Sequence, residues 1–235
     1  MSSVIPIPGF ADPFSSLSHL FGALVFAVLS VPMLVRAKGR TDRVVSVAIF
    51  CFGAVLLLFI SGVYHMIDST GAARSVLQRL DHAAIFVLIA ASFTPTHVLL
   101  FRGGGKWGIL ALVWIYAIVA ISVKTVFFQE MPASLGLALY LGMGWIGLYT
   151  GVSLWHRYGF RFMQPILWGG VAYTIGGILE GFHWPVLVPG VIQWHECFHV
   201  AVLVGLTFHW AFIYHIADGH VAPIYLPRTG SSLCL

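Results

Sequence analysis

The chain has 235 residues, of which 59% are hydrophobic and only 9% are charged. Because a soluble domain carries roughly 25% charged residues, this composition excludes an ordinary soluble domain and places the chain in a lipid bilayer. The formal net charge of +4 is too small to indicate a nucleic-acid partner, and we interpret it as loop charge that sets membrane orientation.

Seven apolar segments, taken in chain order, are each long enough to cross a membrane, which requires about 20 mostly apolar helical residues. Short connections that are charged or contain Gly and Pro separate them, so consecutive segments should be antiparallel neighbours. We therefore predict an all-α integral membrane protein, a seven-transmembrane helix bundle that forms one domain over residues 1–235. The predicted spans are 17–36, 43–66, 81–101, 107–125, 134–155, 163–183 and 194–216.

Polar side chains lie at the ends of three of these spans. Ser61 and His65 close the second span, Asp81 opens the third, and His195 and His199 open the seventh. In an antiparallel bundle, the ends of even spans and the starts of odd spans share the N-terminal side of the membrane. Because ionisable groups are costly to bury in a bilayer, they mark functional sites. We therefore expect these residues to converge on one site.

The three histidines have the spacing of a metal site. His195 and His199 are four residues apart, so they share one helix face, and His65 supplies a third imidazole at a matching depth. A catalytic zinc typically has three protein ligands and leaves a fourth position for water. We predict one zinc ion bound by all three; the alternative is that these histidines only form hydrogen bonds inside the bundle.

Asp81 and Ser61 are the predicted catalytic residues. Aspartate is favoured as an N-cap at a helix start, and Asp81 can also hold and deprotonate a zinc-activated water. Ser61 lies four residues before His65, on the same helix face. Its hydroxyl can donate to a substrate carbonyl or a developing oxyanion; the alternative is a hydrogen bond back to its own helix.

Short motifs that run through nearly the whole chain form a specific pattern when taken together. They are Ser16-Leu-Ser-His19 with Gly22, Ser61-x-x-Tyr64-His65, Leu80-Asp81-His82, Leu88-Ile-Ala-Ala-Ser92-Phe-Thr-Pro95, Tyr173-Thr-Ile-Gly-Gly177, Pro189-Gly190, and His195-Glu-x-Phe-His199 followed by His209. With these motifs the chain resembles the hemolysin III group of the progestin and adipoQ receptor (PAQR) family.

This resemblance implies seven spans and a zinc ion held by His65, His195 and His199. It also implies that Asp81 and Ser61 occupy positions that serve catalysis. The family is similar to a wider superfamily that includes alkaline ceramidases, which hydrolyse lipid amides. Glu180 departs from the family pattern, because an apolar residue is expected there; it can pair with His183 or line the cavity.

Three functions remain open at this point. The first is a zinc-dependent membrane hydrolase that acts on a lipid amide or ester, for which a membrane lipid is the partner. The second is a non-enzymatic receptor or membrane-remodelling protein with a structural zinc. The third is an intramembrane metalloprotease, since residues 195–199 fit the H-E-x-x-H signature with Glu196 as general base.

The basic residues are distributed unequally between the two sides of the predicted bundle. The positive-inside rule counts Lys and Arg in short loops near span ends. It therefore predicts a multi-pass cell (inner) membrane protein with the N-terminus and the zinc site outside the cytoplasm and the C-terminus inside. The receptor branch of the resembling family implies the opposite orientation. Arg36, Lys38, Arg40, Arg43, Arg102, Lys106, Arg157, Arg161 and Arg228 lie opposite the N-terminus, and Arg74, Arg79 and Lys124 lie on its side.

Overall fold

The computed structural model describes residues 4–67 and 71–224, and within them it is helical, with isolated bridges but no β-strand. Seven helical segments are long and apolar enough to span a membrane, and the fifth, Ala133–Tyr158, consists of two consecutive helices. The predicted all-α, seven-span architecture is confirmed. The helices are α1 (Pro13–Arg36), α2 (Thr41–Met66), α3 (Ala72–Leu100), α4 (Gly104–Val126), α5 (Ala133–Trp145), α6 (Gly147–Tyr158), α7 (Phe160–Phe182) and α8 (Trp194–Ile216).

The start of α3 differs from the sequence prediction. The helix begins at Ala72, with Gly71 as its N-cap residue, so Asp81 lies in the third turn and is not an N-cap. The two arginines in the first turns made this stretch look like a loop. Arg74 is satisfied there because it donates hydrogen bonds to the Ile67 carbonyl and to Asp12. The polar part of α3 therefore extends beyond its apolar span.

The helices are arranged around the bundle largely in chain order, and α8 returns to pack against α1. Helix α3 contacts α2, α4, α5 and α8, and it is the most buried of the seven spans. Large apolar side chains fill the space between helices, while many others face outward, as expected for a lipid-exposed surface. Fully buried examples are Phe50, Leu58, Phe86, Leu206 and Phe212.

The segment before α1 crosses the same end of the bundle at which α2 ends and α8 begins. The N–H of Ile5 donates to the Gly190 carbonyl at 2.9 Å, and the N–H of Asp12 donates to the His65 carbonyl at 2.9 Å. The hydroxyl of Ser16 then donates to the Gly62 carbonyl at 2.8 Å. These bonds hold the N-terminal segment over the predicted site and place Asp12 beside the end of α2.

Candidate metal centre

Three histidines from two helices meet at this end of the bundle. The ligand atoms of His65, near the end of α2, and of His195 and His199, at the start of α8, all lie within 4.8 Å of one another. The Nε2 atoms are 3.3 Å apart between His65 and His195, and 3.2 Å apart between His195 and His199. A tetrahedral zinc with nitrogens at about 2.0–2.1 Å separates its ligands by about 3.3–3.4 Å. The histidines are therefore close enough to bind a metal ion.

In two of these rings a carboxylate contacts Nδ1, the nitrogen that faces away from the other histidines. Nδ1 of His65 lies 2.8 Å from Asp12 Oδ2, and Nδ1 of His195 lies 3.1 Å from Glu180 Oε2. Because an ionised carboxylate only accepts, each Nδ1 carries a proton, and a neutral ring then presents the lone pair of its Nε2. Two such lone pairs repel one another unless a proton or a metal cation lies between them. Histidines with carboxylate-bound Nδ1 atoms are typical metal ligands, so these residues fit a metal ion.

Asp12 is a site residue that the sequence prediction missed. Its carboxylate accepts from His65 and also from Arg74, whose Nη2 lies 3.0 Å from Oδ2. Burial acts to raise the pKa of Asp12, but the hydrogen bonds from His65 and Arg74 outweigh it and lower that pKa below its ordinary value. The starts of odd-numbered spans lie on the predicted site side. Asp12 precedes the first span as Asp81 opens the third, so the same rule would have included Asp12.

Glu180 lies in the last turn of α7 and lines the cavity beside the histidines. Of the two expectations for this residue, the cavity position is the one observed, and its hydrogen-bond partner is His195 instead of His183. Glu180 is therefore a second carboxylate that orients one of the three converging histidines.

Glu196 has a different environment from the three histidines. One carboxylate oxygen accepts from the Gln193 N–H at 2.9 Å, in a capping box at the start of α8, and the other accepts from the Ser15 hydroxyl at 3.1 Å. The residue is only 2% exposed. Both oxygens of Glu196 thus accept hydrogen bonds that fix the turn carrying His195 and His199, and the residue lines the same cavity as these histidines.

His19 of α1 packs directly against the metal-site histidines. Its ring stacks on the ring of His199 with centroids 3.9 Å apart. Neither ring nitrogen of His19 has a hydrogen-bond partner in the part of the chain that the structure describes. His19 does not belong to the group whose ligand atoms converge, so its contribution is to close one side of the centre.

The three histidines form part of the wall of a large cavity with a volume of about 1190 Å³. Asp81 and Ser61 line the same cavity as His65, His195 and His199. Among residues 4–67 and 71–224, neither the Asp81 carboxylate nor the Ser61 hydroxyl has a hydrogen-bond or ion-pair partner, and Ser61 is 3% exposed. The structure therefore brings all five predicted site residues to one cavity.

Residues 10–210 match the protein family described as Haemolysin-III related. The chain belongs to this family. Hemolysin-3 of Bacillus cereus is 27% identical over 77% of this chain and 82% of its own length. The Hemolysin-3 homolog of Bacillus subtilis is 28% identical over 77% and 84%, respectively. Heptahelical transmembrane protein 1 of Arabidopsis thaliana is 26% identical over 83% and 66%. The predicted haemolysin III and PAQR relationship is confirmed.

Proposed function

We propose that this haemolysin III family protein is a zinc-dependent membrane hydrolase that cleaves an amide or ester bond of a membrane lipid. The observation that carries the proposal is the wall of the cavity. Three converging histidines line one apolar cavity of about 1190 Å³ together with the Asp81 carboxylate and the Ser61 hydroxyl, which have no hydrogen-bond partner among residues 4–67 and 71–224. A chamber of this size and character suits the acyl chain of a lipid.

The roles of the residues follow from their chemistry. His65, His195 and His199 would hold the ion, and Asp12 and Glu180 would keep the ligand nitrogens of two of them directed at it. When bound in such a site, zinc polarises a carbonyl group and lowers the pKa of water. Asp81, which has no hydrogen-bond or ion-pair partner in the described part of the chain, would receive the proton from the attacking water. Ser61 would donate a hydrogen bond to the carbonyl oxygen as negative charge develops there.

The protease alternative has less support than the lipid hydrolase. A general base must reach the proton that it removes, whereas both oxygens of Glu196 already accept hydrogen bonds from Ser15 and Gln193. Asp81 has no such partners. The position of Glu196 therefore favours a structural role at the start of α8.

A non-enzymatic membrane protein with a structural metal is the second candidate. The name Hemolysin-3, carried by the Bacillus cereus relative, supports a protein that acts on the membrane itself. Structural zinc sites have four protein ligands, whereas catalytic sites keep one position open. The three-histidine group favours the catalytic type.

The metal ligands are tested by measuring zinc in purified variants. We expect one zinc per chain in the wild-type protein and loss of most of it in His65→Ala, His195→Ala and His199→Ala. His156→Ala, which changes an exposed histidine of α6, is the matched control and should retain full zinc. Retention of full zinc by His65→Ala would show that the three-ligand assignment is wrong.

Catalysis is tested with a ceramide and a lipid ester as candidate substrates. Asp81→Asn should abolish hydrolysis while most of the zinc remains bound, because the side chain acts on water and not as a ligand. Ser61→Ala should lower the rate by about 10²–10³-fold if it stabilises the oxyanion. Glu196→Gln should have a milder effect; a larger loss in Glu196→Gln than in Asp81→Asn would instead favour the protease.

The proposed location is the cell (inner) membrane, with the N-terminus and the metal centre outside the cytoplasm and the C-terminus inside. The helix order supports opposite sides for the two ends, since seven spans separate them. The distribution of basic residues supports the direction. Arg228, one of the basic residues counted, lies outside the described part of the chain.

A further inference from the structure

Lys124, in the last turn of α4, is a buried cation that the proposed hydrolysis does not use. A lysine near the end of a span usually extends its ammonium group toward the lipid headgroups. Lys124 does the opposite, because it is 8% exposed and lines the cavity, whereas Val126, two residues later, is 70% exposed. Its charge is therefore turned into the protein.

The ammonium group of Lys124 lies against the first turn of α5. A Cβ atom placed on Gly136 would be 2.5 Å from Lys124 Nζ, so only a glycine at this position leaves room for the charge. Nζ also lies 5.5 Å from the centre of the Phe128 ring and 5.8 Å from that of Tyr140. These neighbours hold the charge in place without neutralising it.

The start of α5 adds a second source of positive potential. A helix N-terminus carries a partial positive charge and exposes unsatisfied N–H groups. The N-cap residue of α5 is Pro132, no side chain caps the helix, and its first turn contains no acidic residue. Ala133 and Ser134, the first two residues of α5, line the cavity beside Lys124. An ammonium group beside a helix N-terminus is electrostatically unfavourable unless an anion joins them.

Arg79 of α3 brings a further cation to the same Phe128 ring, outside the lining of the cavity. Its Cζ lies over the Phe128 ring at 5.5 Å, and its Nε is buried without a hydrogen-bond partner. The ring of His82 also packs edge-on against Phe128, and its Nδ1 is bonded to the Gln78 carbonyl. No residue within 4–67 or 71–224 forms a hydrogen bond or ion pair with the side chain of Lys124 or Arg79. Lys124 and Arg79 thus contribute two positive charges near His82, while Asp81, the neighbour of His82 in the chain, contributes one negative charge.

We propose that Lys124, Arg79 and the first turn of α5 form a binding subsite for a phosphate-type oxyanion. Charged donors and helix N-termini are the groups that proteins use for phosphate. The oxyanion arrives either on the headgroup of a lipid whose acyl chains enter the apolar cavity or as free phosphate. The subsite rests on the proposed function only through the shared cavity, because its residues do not touch the three metal-site histidines.

The subsite is tested by equilibrium binding to the full chain purified in detergent. The probes are dioctanoyl phosphatidic acid, its uncharged counterpart dioctanoylglycerol, and inorganic phosphate. We expect phosphatidic acid to bind at least about tenfold more tightly than dioctanoylglycerol. Lys124→Met and Arg79→Met should each weaken phosphatidic acid binding about ten- to hundredfold, since each removes a charged hydrogen-bond donor. Lys124→Arg should retain most of the binding.

A glycine pair tests the position of Lys124 without changing any charge. Gly136→Ala should weaken phosphatidic acid binding, because the new methyl group displaces the ammonium group. Gly142→Ala is the matched control on the same helix, where the new Cβ would lie 3.7 Å from the Tyr116 hydroxyl, an ordinary contact. Elution as a single monodisperse peak in size-exclusion chromatography in detergent reports whether each variant is folded. If Lys124→Met is not folded, Gly136→Ala decides the test.

The outcomes distinguish a lipid headgroup from free phosphate as the source of the anion. They also test the subsite independently of the proposed hydrolysis. Lys124-dependent binding of phosphatidic acid identifies a lipid headgroup, and Lys124-dependent binding of inorganic phosphate alone identifies the free anion. Equal binding of phosphatidic acid and dioctanoylglycerol together with no phosphate binding, or wild-type anion binding by folded Lys124→Met and Gly136→Ala, overturns the proposal. Binding is measured without turnover, so a failure of Asp81→Asn to affect hydrolysis leaves this result unaffected.

Discussion

At the scale of single residues, the partners of a histidine determine what it can do. Both ring nitrogens of His97 are bonded within the protein, Nδ1 to the Gly105 carbonyl at 2.8 Å and Nε2 to the Thr150 hydroxyl at 2.9 Å. No ring nitrogen of His97 is left for a metal. In His65 and His195 a carboxylate occupies Nδ1 and leaves Nε2 toward the other histidines. The same residue type is structural in one place and a candidate ligand in the other.

The carboxylates that orient the histidines should therefore affect metal affinity. Asp12→Asn and Glu180→Gln should each weaken zinc binding about 10–100-fold, the usual effect of losing a hydrogen-bond partner of a metal ligand. The affinity is measured by competition with a chromogenic chelator, which requires no enzyme activity. Asp218→Asn, which changes a carboxylate after α8 that pairs with Arg36, is the control. Unchanged zinc affinity in both site variants would exclude this orienting role.

At the scale of helices, close approach between α7 and α8 brings the metal-bearing helix against its neighbour. A Cβ atom on Gly169 would lie 2.2 Å from His209 Cδ2 and 3.1 Å from the Gly205 carbonyl. A Cβ on Gly205 would lie 2.7 Å from the Tyr173 ring. Small residues let membrane helices approach closely in this way. The two glycines therefore determine how tightly α8 is held.

A pair of adjacent substitutions tests this contact. Gly169→Ala should destabilise the protein by about 1–3 kcal/mol, because the methyl group forces His209 and the α8 backbone to move. Gly170→Ala places its methyl in open space and should be neutral or slightly stabilising, since alanine favours a helix over glycine. Thermal unfolding midpoints in detergent give the comparison. Equal midpoints for the two variants would show that the α7–α8 contact relaxes without cost.

At the scale of the whole molecule, the spans place the metal centre and the chain ends relative to the membrane. The histidines lie at the end where α2 ends and α8 begins, while α8 itself ends on the opposite side. Of the described basic residues, Arg74, Arg79 and Lys124 are on the site side, and Arg74 and Lys124 are turned into the protein. The other side of the bundle therefore carries most of the basic residues.

Orientation is measured with reporters fused to Leu235. Nine basic residues against three predict that the C-terminus is cytoplasmic, so a fluorescent protein that matures only in the cytoplasm should be bright. A periplasm-active enzyme fused at the same residue should be inactive. A dark fluorescent fusion with an active periplasmic reporter would reverse the orientation and place the metal centre on the cytoplasmic side.

Local sequence pattern was sufficient to predict the seven spans and the family. It also predicted that one side of the membrane is shared by Ser61, His65, Asp81, His195 and His199. Apolar length is a local property of the chain, and the order of antiparallel spans then assigns each end to a side. The boundary of α3 was wrong because its first turns are polar. Hydropathy cannot show that Arg74 stabilises these polar turns through hydrogen bonds to Ile67 and Asp12, because those partners lie outside the helix.

Only the tertiary structure decided the partners of the site residues. The Asp12–His65 contact joins residues 53 positions apart, and the Ser15–Glu196 contact joins residues 181 apart. Such contacts depend on helix packing and not on local pattern. For the same reason, the H-E-x-x-H spacing left Glu196 a candidate base until packing assigned its oxygens to Ser15 and Gln193. The side chain of Lys124 points into the protein because Gly136 leaves space for its ammonium group. That space forms only when α4 and α5 pack together.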